Sequence, residues 1–385
     1  MTFTMRNTRA AHSGVREHNR KLVLRTIVNQ TANNRAALAE ETGLAKPTIS
    51  TLVAELMDEG LVIEEGLGES TESGGKRPRL LRFMPQSRQV IGIALHQNYV
   101  LGVLANLDGH IVVEHRADLP STQQTEVFTV LVEVINGLIA QLSVPLLCMS
   151  VGIPAEVDDS EGRVRYAPRF GWHDVPLAGL LCEHYHTPVY VSNSPELAAR
   201  AQAVLGQLTA ADSLATVLIT NSIGFGIVSR ASSGSAGSDI GHLLLPQYDA
   251  LVEQLLGWHS VAARARELAR AHGSASFPDD HFTYLHIHYA AAQGDPAALA
   301  LLDELSAYVA QVFSWVIALL RPQHLSLAGA IANLGESFLQ QVVEKTGRLI
   351  LADLIGAMTF SVNDADNLVA IGAAVKAVEH ELGIA

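Results

Sequence analysis

Residues 34–62 read NRAALAEETGLAKPTISTLVAELMDEGLV and decide the organisation of the amino-terminal part of the chain. Apolar residues recur at helical spacing on both sides of Gly43, which predicts two short helices packed across a tight turn. Gly43 suits the end of the first helix, and Pro47 suits the first turn of the second, where an N–H is not needed. We expect the short polar or basic side chains of the second helix to face a DNA major groove; these are Lys46, Thr48, Ser50 and Thr51.

A β-hairpin is predicted directly after the two helices. Residues 60–65 and 80–83 have the pattern of paired strands, and the polar loop between them ends in the basic run 74–79. Two helices and a hairpin form a winged helix-turn-helix, whose basic tip can lie along phosphates or enter a minor groove. The alternative is a helical hairpin with a solvated charged loop. Beyond the second helix, the residues expected to contact DNA are Arg35, Lys76, Arg77 and Arg79.

The charge of the chain is divided between its two parts. The formal net charge is −13, but residues 1–89 hold 13 Lys and Arg against 10 Asp and Glu, a net of +3. The remaining residues therefore carry a net charge of −16. An acidic body repels DNA except through its basic head, which fits a regulator with a separate sensing domain.

Composition restricts the environment and size class of the protein. A chain of 385 residues with 48% hydrophobic residues predicts two or three domains with sizeable cores. The amino terminus lacks an apolar export signal, no uninterrupted apolar run has the length of a membrane span, and only two cysteines occur. We therefore expect a cytoplasmic protein with no membrane partner.

From Val90 onward, strands alternate with helices in two successive units, which predicts an α/β body of two lobes with a cleft. Several short stretches make the head and body together resemble the ROK family, named for repressors, uncharacterised reading frames and sugar kinases. They are residues 44–50 and 74–78 in the head, and 151–154, 166–177, 239–242 and 328–330 in the body. The resemblance covers residues 16–372 and implies a ribonuclease-H-like, actin-like fold with a sugar between the lobes.

The resemblance also implies domain boundaries and an assembly. We expect a disordered segment over 1–15, a winged helix-turn-helix over 16–83 and a linker over 84–89. Lobe 1 is expected over 90–195, completed by the carboxy-terminal helix 367–385, and lobe 2 over 196–366, with the dimerisation surface and the effector cleft. The expected partners are an operator in double-stranded DNA and a second copy of the chain, as a homodimer or a dimer of dimers.

The departures from the kinase branch of the family argue against catalysis. Ala94 stands where the resemblance places a nucleotide-binding Asp, and His96 and Gln97 replace phosphate-cradling glycines. Ser194 follows Asn193 where kinases have the Asp that accepts the proton of the sugar hydroxyl. A second glycine pattern, at 220–226, is better explained as a tight turn between two strands. We therefore expect no enzyme activity and no catalytic residue.

The resemblance implies where an effector would bind. Asn193, Asp239, His242 and Glu253 match the family's sugar-contacting positions, with Asp replacing Glu at 239. Carboxylates, an amide and an imidazole suit a polyol, although such groups can also be polar remnants that satisfy one another. Relatives carry three cysteines after the Gly-His pair and bind zinc; none follows His242 here, so no metal and no cofactor are expected.

These observations predict a transcriptional regulator, a repressor of carbohydrate-related genes, whose inactive body senses a sugar or sugar derivative. One alternative is a regulator whose body binds a partner protein and no sugar. A remote alternative is an active sugar kinase with a DNA-binding extension, against which residues 94 and 194 argue.

Overall fold

The computed structural model describes residues 3–68, 77–206, 213–229, 234–277 and 282–384. The head consists of three helices and a two-stranded antiparallel hairpin. In chain order these are α1 (Phe3–Val28), α2 (Arg35–Thr42), α3 (Lys46–Asp58), β1 (Val62–Leu67) and β2 (Arg79–Phe83).

Local chemistry sets the boundaries of α2 and α3. The Asn34 side chain accepts hydrogen bonds from the amide N–H groups of Ala36 and Ala37 and so caps α2. Gly43 then turns the chain in the left-handed region, with φ of 69°, where a side chain would be strained. The first helix is longer than expected. The sequence predicted a disordered segment over 1–15, whereas α1 already begins at Phe3 and continues to Val28, because no proline interrupts 3–28.

Lobe 1 is built on a five-stranded sheet in the order β10-β6-β3-β4-β5, in which β3, β4 and β5 are antiparallel and β6 and β10 run parallel to β3. A separate three-stranded sheet is formed by β7, β8 and β9. The elements are β3 (Gln89–Leu95), β4 (Tyr99–Asn106), β5 (Ile111–Asp118), α4 (Gln124–Ile139), β6 (Leu146–Ile153), β7 (Glu156–Asp158), β8 (Arg163–Ala167), β9 (Trp172–Val175), α5 (Leu177–Tyr185) and β10 (Val189–Asn193).

Lobe 2 repeats the same strand order in a second five-stranded sheet, β13-β12-β11-β16-β17. This duplication confirms the predicted two-lobed α/β body. The elements are α6 (Ser194–Leu205), β11 (Ser213–Ile219), β12 (Ile223–Ser229), β13 (Gly234–Asp239), β14 (Leu244–Leu245), β15 (Ala250–Leu251), α7 (Val252–Leu256), α8 (Trp258–His272), α9 (Tyr284–Ala292), α10 (Pro296–Leu320), β16 (His324–Ala328), α11 (Gly335–Thr346), β17 (Thr359–Asn363) and α12 (Leu368–Leu382).

One long apolar helix lies in the core of lobe 2. Among the described residues, α10 is the one helix whose length and mean hydropathy would allow it to cross a bilayer. In the structure 61% of its apolar window is buried, with Phe313 fully enclosed. It packs against α8 and α11, as the central helix of a globular core does.

Two helices fill the space between the sheets, and glycines allow their close contact. Helix α12 packs on lobe 1, where a Cβ on Gly92 of β3 would lie 2.0 Å from the Ala370 carbonyl oxygen. Helix α6 packs on α12, where a Cβ on Gly372 would lie 1.9 Å from the Leu197 carbonyl oxygen. On the far side, a Cβ on Gly226 of β12 would lie 2.0 Å from the Pro195 carbonyl oxygen. The layers are therefore sheet, α12, α6 and sheet.

The connector between head and body is folded onto both. A short 3-10 turn occupies Pro85–Ser87, and β3 already begins at Gln89, so the expected linker over 84–89 contains regular structure. The Met84 N–H donates to the Leu61 carbonyl of the head, and the Leu107 N–H donates to the Pro85 carbonyl. The connector is thus hydrogen-bonded to both parts, which an unstructured polar linker would not be.

The glycine contact between α6 and α12 generates a stability prediction. Gly372→Ala should lower the free energy of unfolding by about 2–3 kcal/mol or more, because the added methyl group meets backbone that cannot move without displacing a helix. Gly179→Ala in α5 is the matched control, since no atom lies within 4 Å of the position that its new methyl group would take. That change should stabilise by roughly 0.5–1 kcal/mol. Urea unfolding of both variants measures the difference; equal stabilities would contradict the packing described.

Candidate effector cleft and head surface

A polar cavity of about 570 Å³ lies between the lobes and brings together three of the four predicted effector residues. Asn193 ends β10 of lobe 1, Asp239 ends β13 of lobe 2, and His242 follows in the next turn. The sequence spacing alone could not place these side chains in one cavity, because the first two lie far apart along the chain. The crossing of α6 between the sheets does so.

Asn193 has a free hydrogen-bonding atom at this cavity. Its amide nitrogen donates to the Ala155 carbonyl oxygen at 2.6 Å, which fixes the orientation of the side chain. Its amide oxygen is buried and accepts no hydrogen bond from any described part of the chain. A buried acceptor without a partner is unfavourable by about 1–3 kcal/mol, so a ligand hydroxyl that donated to it would gain that energy.

Asp239 is held by the turn that follows it. Its Oδ1 accepts from the Gly241 N–H at 2.9 Å, leaving the second carboxylate oxygen to accept from another donor. The Glu253 N–H donates to the Gly241 carbonyl at 2.9 Å, so the same turn also positions the start of α7. A fixed carboxylate is a suitable acceptor for a ligand hydroxyl.

The fourth predicted residue, Glu253, connects the lobes instead of lining this cavity. Its Oε2 accepts from Arg169 Nη2 at 3.0 Å and lies 3.8 Å from His242 Nε2. Arg169 belongs to the 3-10 turn Pro168–Phe170 of lobe 1, so this ion pair crosses between lobes. The Glu253 carboxylate is therefore engaged by a cation in this lobe arrangement.

Further carboxylates surround the cavity. Glu156, Asp159 and Glu196 line it together with Asp239. Lys376 of α12 offsets part of this charge, because its ammonium group contacts Asp159 and lies 2.8 Å from Glu196. The excess of carboxylates makes the cavity unfavourable for an anionic ligand and favourable for hydroxyl donors.

The structure places the positions at which the sequence departs from the kinase branch on β3, in the turn that follows it and at the start of α6. Ala94 is fully buried on β3, and Ser194 begins α6 with 6% of its surface exposed. His96 stacks on Tyr99 with ring centroids 4.3 Å apart. Burial, together with the nearby Arg116 charge, lowers the pKa of His96 to about 4, so this ring is uncharged at neutral pH. The turn offers a neutral aromatic pair where phosphate would need small residues.

Sequence reasoning missed the residues that join the lobes. Arg169 lies within the stretch 166–177 that carries the family resemblance, but no spacing rule pairs it with Glu253, 84 residues away. Asp159, Glu196 and Lys376 come from three distant parts of the sequence. No group of three or more His, Cys, Asp or Glu side chains within the described ranges is arranged to hold a metal ion.

The head presents part of the predicted DNA-contacting set on its surface. Lys46, Ser50 and Thr51 are exposed on α3, and Thr48 is half-buried. Arg77 is exposed at the end of the hairpin loop, whereas Lys76 lies outside the described residues.

Arg35 and Arg79 converge on one carboxylate, that of Glu64 on β1. Arg79 Nη1 donates to Glu64 Oε2 at 2.7 Å, and Arg35 donates to Oε1. The hydrogen bonds from Arg35 and then Arg79 lower the pKa of Glu64, which keeps it ionised. This carboxylate neutralises part of the basic surface that a DNA interface requires.

The duplicated sheet order and the polar cleft between lobes define a two-lobed protein of the ribonuclease-H-like, actin-like class. The ROK family model matches residues 90–379, and the chain belongs to that family. The xylose repressor of Bacillus subtilis (strain 168) is 31% identical over 239 residues, which cover 60% of this chain and 61% of the relative. The match thus spans about three-fifths of that repressor's length.

Two solved structures show the same fold. A ROK family transcriptional regulator, a homologue of the E. coli MLC protein, superimposes with a TM-score of 0.81 at 19% identity, covering 96% of this chain and 98% of the other. A ROK family glucokinase from Streptomyces griseus, in complex with glucose and AMPPNP, gives a TM-score of 0.63 at 20% identity. The glucokinase match covers 74% of this chain and 98% of the kinase. Because the regulator match covers more of this chain, it includes the head as well as the body.

The arrangement around Glu64 predicts that a neutral substitution strengthens DNA binding. Glu64→Gln should raise affinity for a mixed-sequence duplex by roughly three- to tenfold at low salt, because it removes a repelling charge and releases two arginines to phosphate. The slope of log affinity against log salt should steepen by about one to two units. Glu183→Gln, an exposed carboxylate of lobe 1, is the control and should change neither quantity.

Fluorescence anisotropy over a salt series measures both quantities. A loss of affinity in Glu64→Gln would show that this carboxylate positions the arginines for DNA instead of competing with it.

Proposed function

We propose that the protein is a cytoplasmic, homodimeric repressor of carbohydrate-related genes that binds operator DNA through its head and a neutral sugar between its lobes. The observation that carries the proposal is that one chain combines two features. The head has an exposed polar helix and a basic hairpin, and the body has a cleft where Asn193, Asp239 and His242 meet. The repressor name of the aligned relative and the whole-chain match to a ROK regulator support it. Two heads in a dimer suit a palindromic operator.

The charge distribution supports DNA binding by the head alone. The net charge of +3 in residues 1–89 and −16 in the remainder orients the molecule toward phosphate. The proposed DNA contacts lie mainly on α3 and along the hairpin; Arg35 lies on α2, and Lys76 lies outside the described residues. The proposed contacts are Arg35, Lys46, Thr48, Ser50, Thr51, Lys76, Arg77 and Arg79.

The cleft favours an uncharged sugar over a sugar phosphate. Four carboxylates line the cavity, and Lys376 is already engaged by two of them. A phosphate group would be repelled there and would meet no unpaired cation among the described lining residues. A neutral sugar would instead donate to the Asn193 oxygen and to Asp239.

The ligand would act on DNA affinity through the arrangement of the lobes. Asn193 belongs to lobe 1 and Asp239 to lobe 2, so a sugar that bonds to both favours the arrangement in which they are close. A ligand shifts such an equilibrium only by its difference in affinity for the two states, typically about 1–3 kcal/mol. Helix α12 extends from the cleft to the head, where the Lys21 ammonium donates to the His380 carbonyl at 3.1 Å.

Effector binding is tested by thermal unfolding and operator titration. D-glucose, D-xylose and N-acetylglucosamine are tested beside D-glucose 6-phosphate, and a neutral sugar should raise the unfolding midpoint and change operator affinity by roughly 5–150-fold. Asp239→Ala and His242→Ala should retain operator binding and lose the response. Asp118→Ala, an exposed carboxylate of lobe 1, should respond like the wild type.

The operator for this titration is selected from random duplexes with the wild-type protein. A midpoint that responds only to the phosphorylated sugar would contradict the charge argument. An undiminished response in both cleft variants would place the effector elsewhere.

The body is proposed to lack kinase activity. Ala94 and Ser194 replace both carboxylates that the resemblance assigns to phosphoryl transfer, so neither Mg-nucleotide nor the sugar hydroxyl has its acceptor. A coupled ADP-release assay with ATP and the same neutral sugars should stay at background for the wild type. Ser194→Asp should not restore turnover, because residue 94 and the neutral His96 turn remain. Sugar-dependent ADP release by the wild type would overturn this proposal.

A further inference from the structure

A second cavity between the lobes, of about 380 Å³, is lined in part by aromatic side chains. It lies where the kinase branch would hold its nucleotide, beside the turn that contains His96. Lobe 1 contributes His96 and Tyr99, and lobe 2 contributes Trp258, Phe282 and Tyr284. The Trp258 ring centroid lies 4.8 Å from that of Tyr284 and 5.3 Å from that of Phe282. Rings so placed present an apolar surface on which a planar ligand can stack.

The charges around this second cavity disfavour an anion. Its charged lining residues in the described part of the chain are Arg169 and Asp366. Arg169 is already bonded to Glu253 of lobe 2, and the negative charge of Asp366 is offset by Arg116, whose guanidinium lies 3.8 Å from its carboxylate and over the Tyr99 ring. His96 is uncharged at neutral pH because burial lowers its pKa to about 4. A polyphosphate would therefore find no unpaired positive charge on the described walls.

A buried hydroxyl supplies the evidence for a ligand. Tyr284 is only 3% exposed and lines the cavity, yet its hydroxyl group has no hydrogen-bond partner among the residues that the structure describes. Burial raises its pKa, so the hydroxyl keeps its proton and remains a donor. His96 Nε2 is likewise buried without a partner on the opposite lobe. Each such group is unfavourable by about 1–3 kcal/mol until a ligand atom satisfies it.

We propose that this cavity is a second ligand site, which binds an uncharged planar aromatic molecule carrying a hydrogen-bond acceptor. The ring of the ligand lies against the Trp258 side of the cavity, and its acceptor atom accepts a hydrogen bond from the Tyr284 hydroxyl group. The site is separate from the sugar cavity: Asn193, Asp239 and His242 line one, and Trp258 and Tyr284 line the other.

Benzamide and benzoate form a matched probe pair for this site, because they share ring and shape and differ in charge. Saturation-transfer NMR with the full chain should detect benzamide with a Kd on the order of 1 mM, as for a ligand of this size. Benzoate should bind at least several-fold more weakly. ATP serves as the polyphosphate probe and should not displace benzamide.

Two substitutions on α9 distinguish the loss of a contact in this cavity from a general effect of removing a tyrosine hydroxyl. Tyr284→Phe removes only the hydroxyl and should weaken benzamide binding roughly three- to tenfold. Tyr289→Phe makes the same change at a 61% exposed position of the same helix and should leave binding unchanged. Trp258→Ala should abolish the signal, with thermal unfolding used to verify that the variant is folded.

The proposal is overturned if the wild type shows no saturation transfer to benzamide at benzamide concentrations well above the expected Kd. It is also overturned if Tyr284→Phe and Tyr289→Phe bind benzamide equally. It is also overturned if benzoate binds as tightly as benzamide, or if ATP displaces benzamide. The response of the other cavity to sugars is measured independently. The results can therefore contradict the proposal for one cavity and leave the proposal for the other intact.

Discussion

The close contact of α6 with α12 is the constraint on which the body depends. Both helices lie between the two sheets, and glycines at 92, 372 and 226 allow backbone to meet backbone at each of the three interfaces. Because there is no side chain to adjust at these contacts, the spacing of the layers is set closely. The end of β10 and the end of β13 are thereby held on opposite sides of one cavity, which makes a polar site from residues far apart in sequence.

The same packing connects the cleft to the head. Asn193 precedes α6, Glu196 lies in its first turn, and Lys376 of α12 bonds back to Glu196. Near its other end α12 meets α1 through Lys21 and packs in an apolar cluster that includes Leu24 and Leu56 of the head. These contacts form a contiguous path from the cleft to the head, whose exposed surface we propose to face DNA. Contacts of this kind couple two sites only where the connecting element has two arrangements and events at both sites change the balance between them.

Two cavities of different chemistry lie between the lobes. One is lined by the Asn193 amide and by carboxylates, and the Arg169–Glu253 ion pair joins the lobes beside it. In the other, an aromatic pair occupies the position of a phosphate turn, and the wall around Trp258 is apolar. The ROK fold thus keeps a cleft between its lobes, while Ala94 and Ser194 stand where the resemblance places the acidic groups of a kinase.

The sequence by itself determined the two short helices around Gly43, the hairpin pattern after them and the alternation of strands and helices in the body, because these are local properties. It did not predict the three-stranded sheet of β7, β8 and β9. The sequence also determined the absence of Asp at 94 and 194, since residue identity needs no geometry. Tertiary structure alone decided which polar groups meet: Asn193 with Asp239, Arg169 with Glu253, and Arg35 and Arg79 with Glu64. Such pairs depend on how distant elements pack, and neither spacing nor composition records that packing. The unpartnered Tyr284 hydroxyl is a property of the folded chain for the same reason.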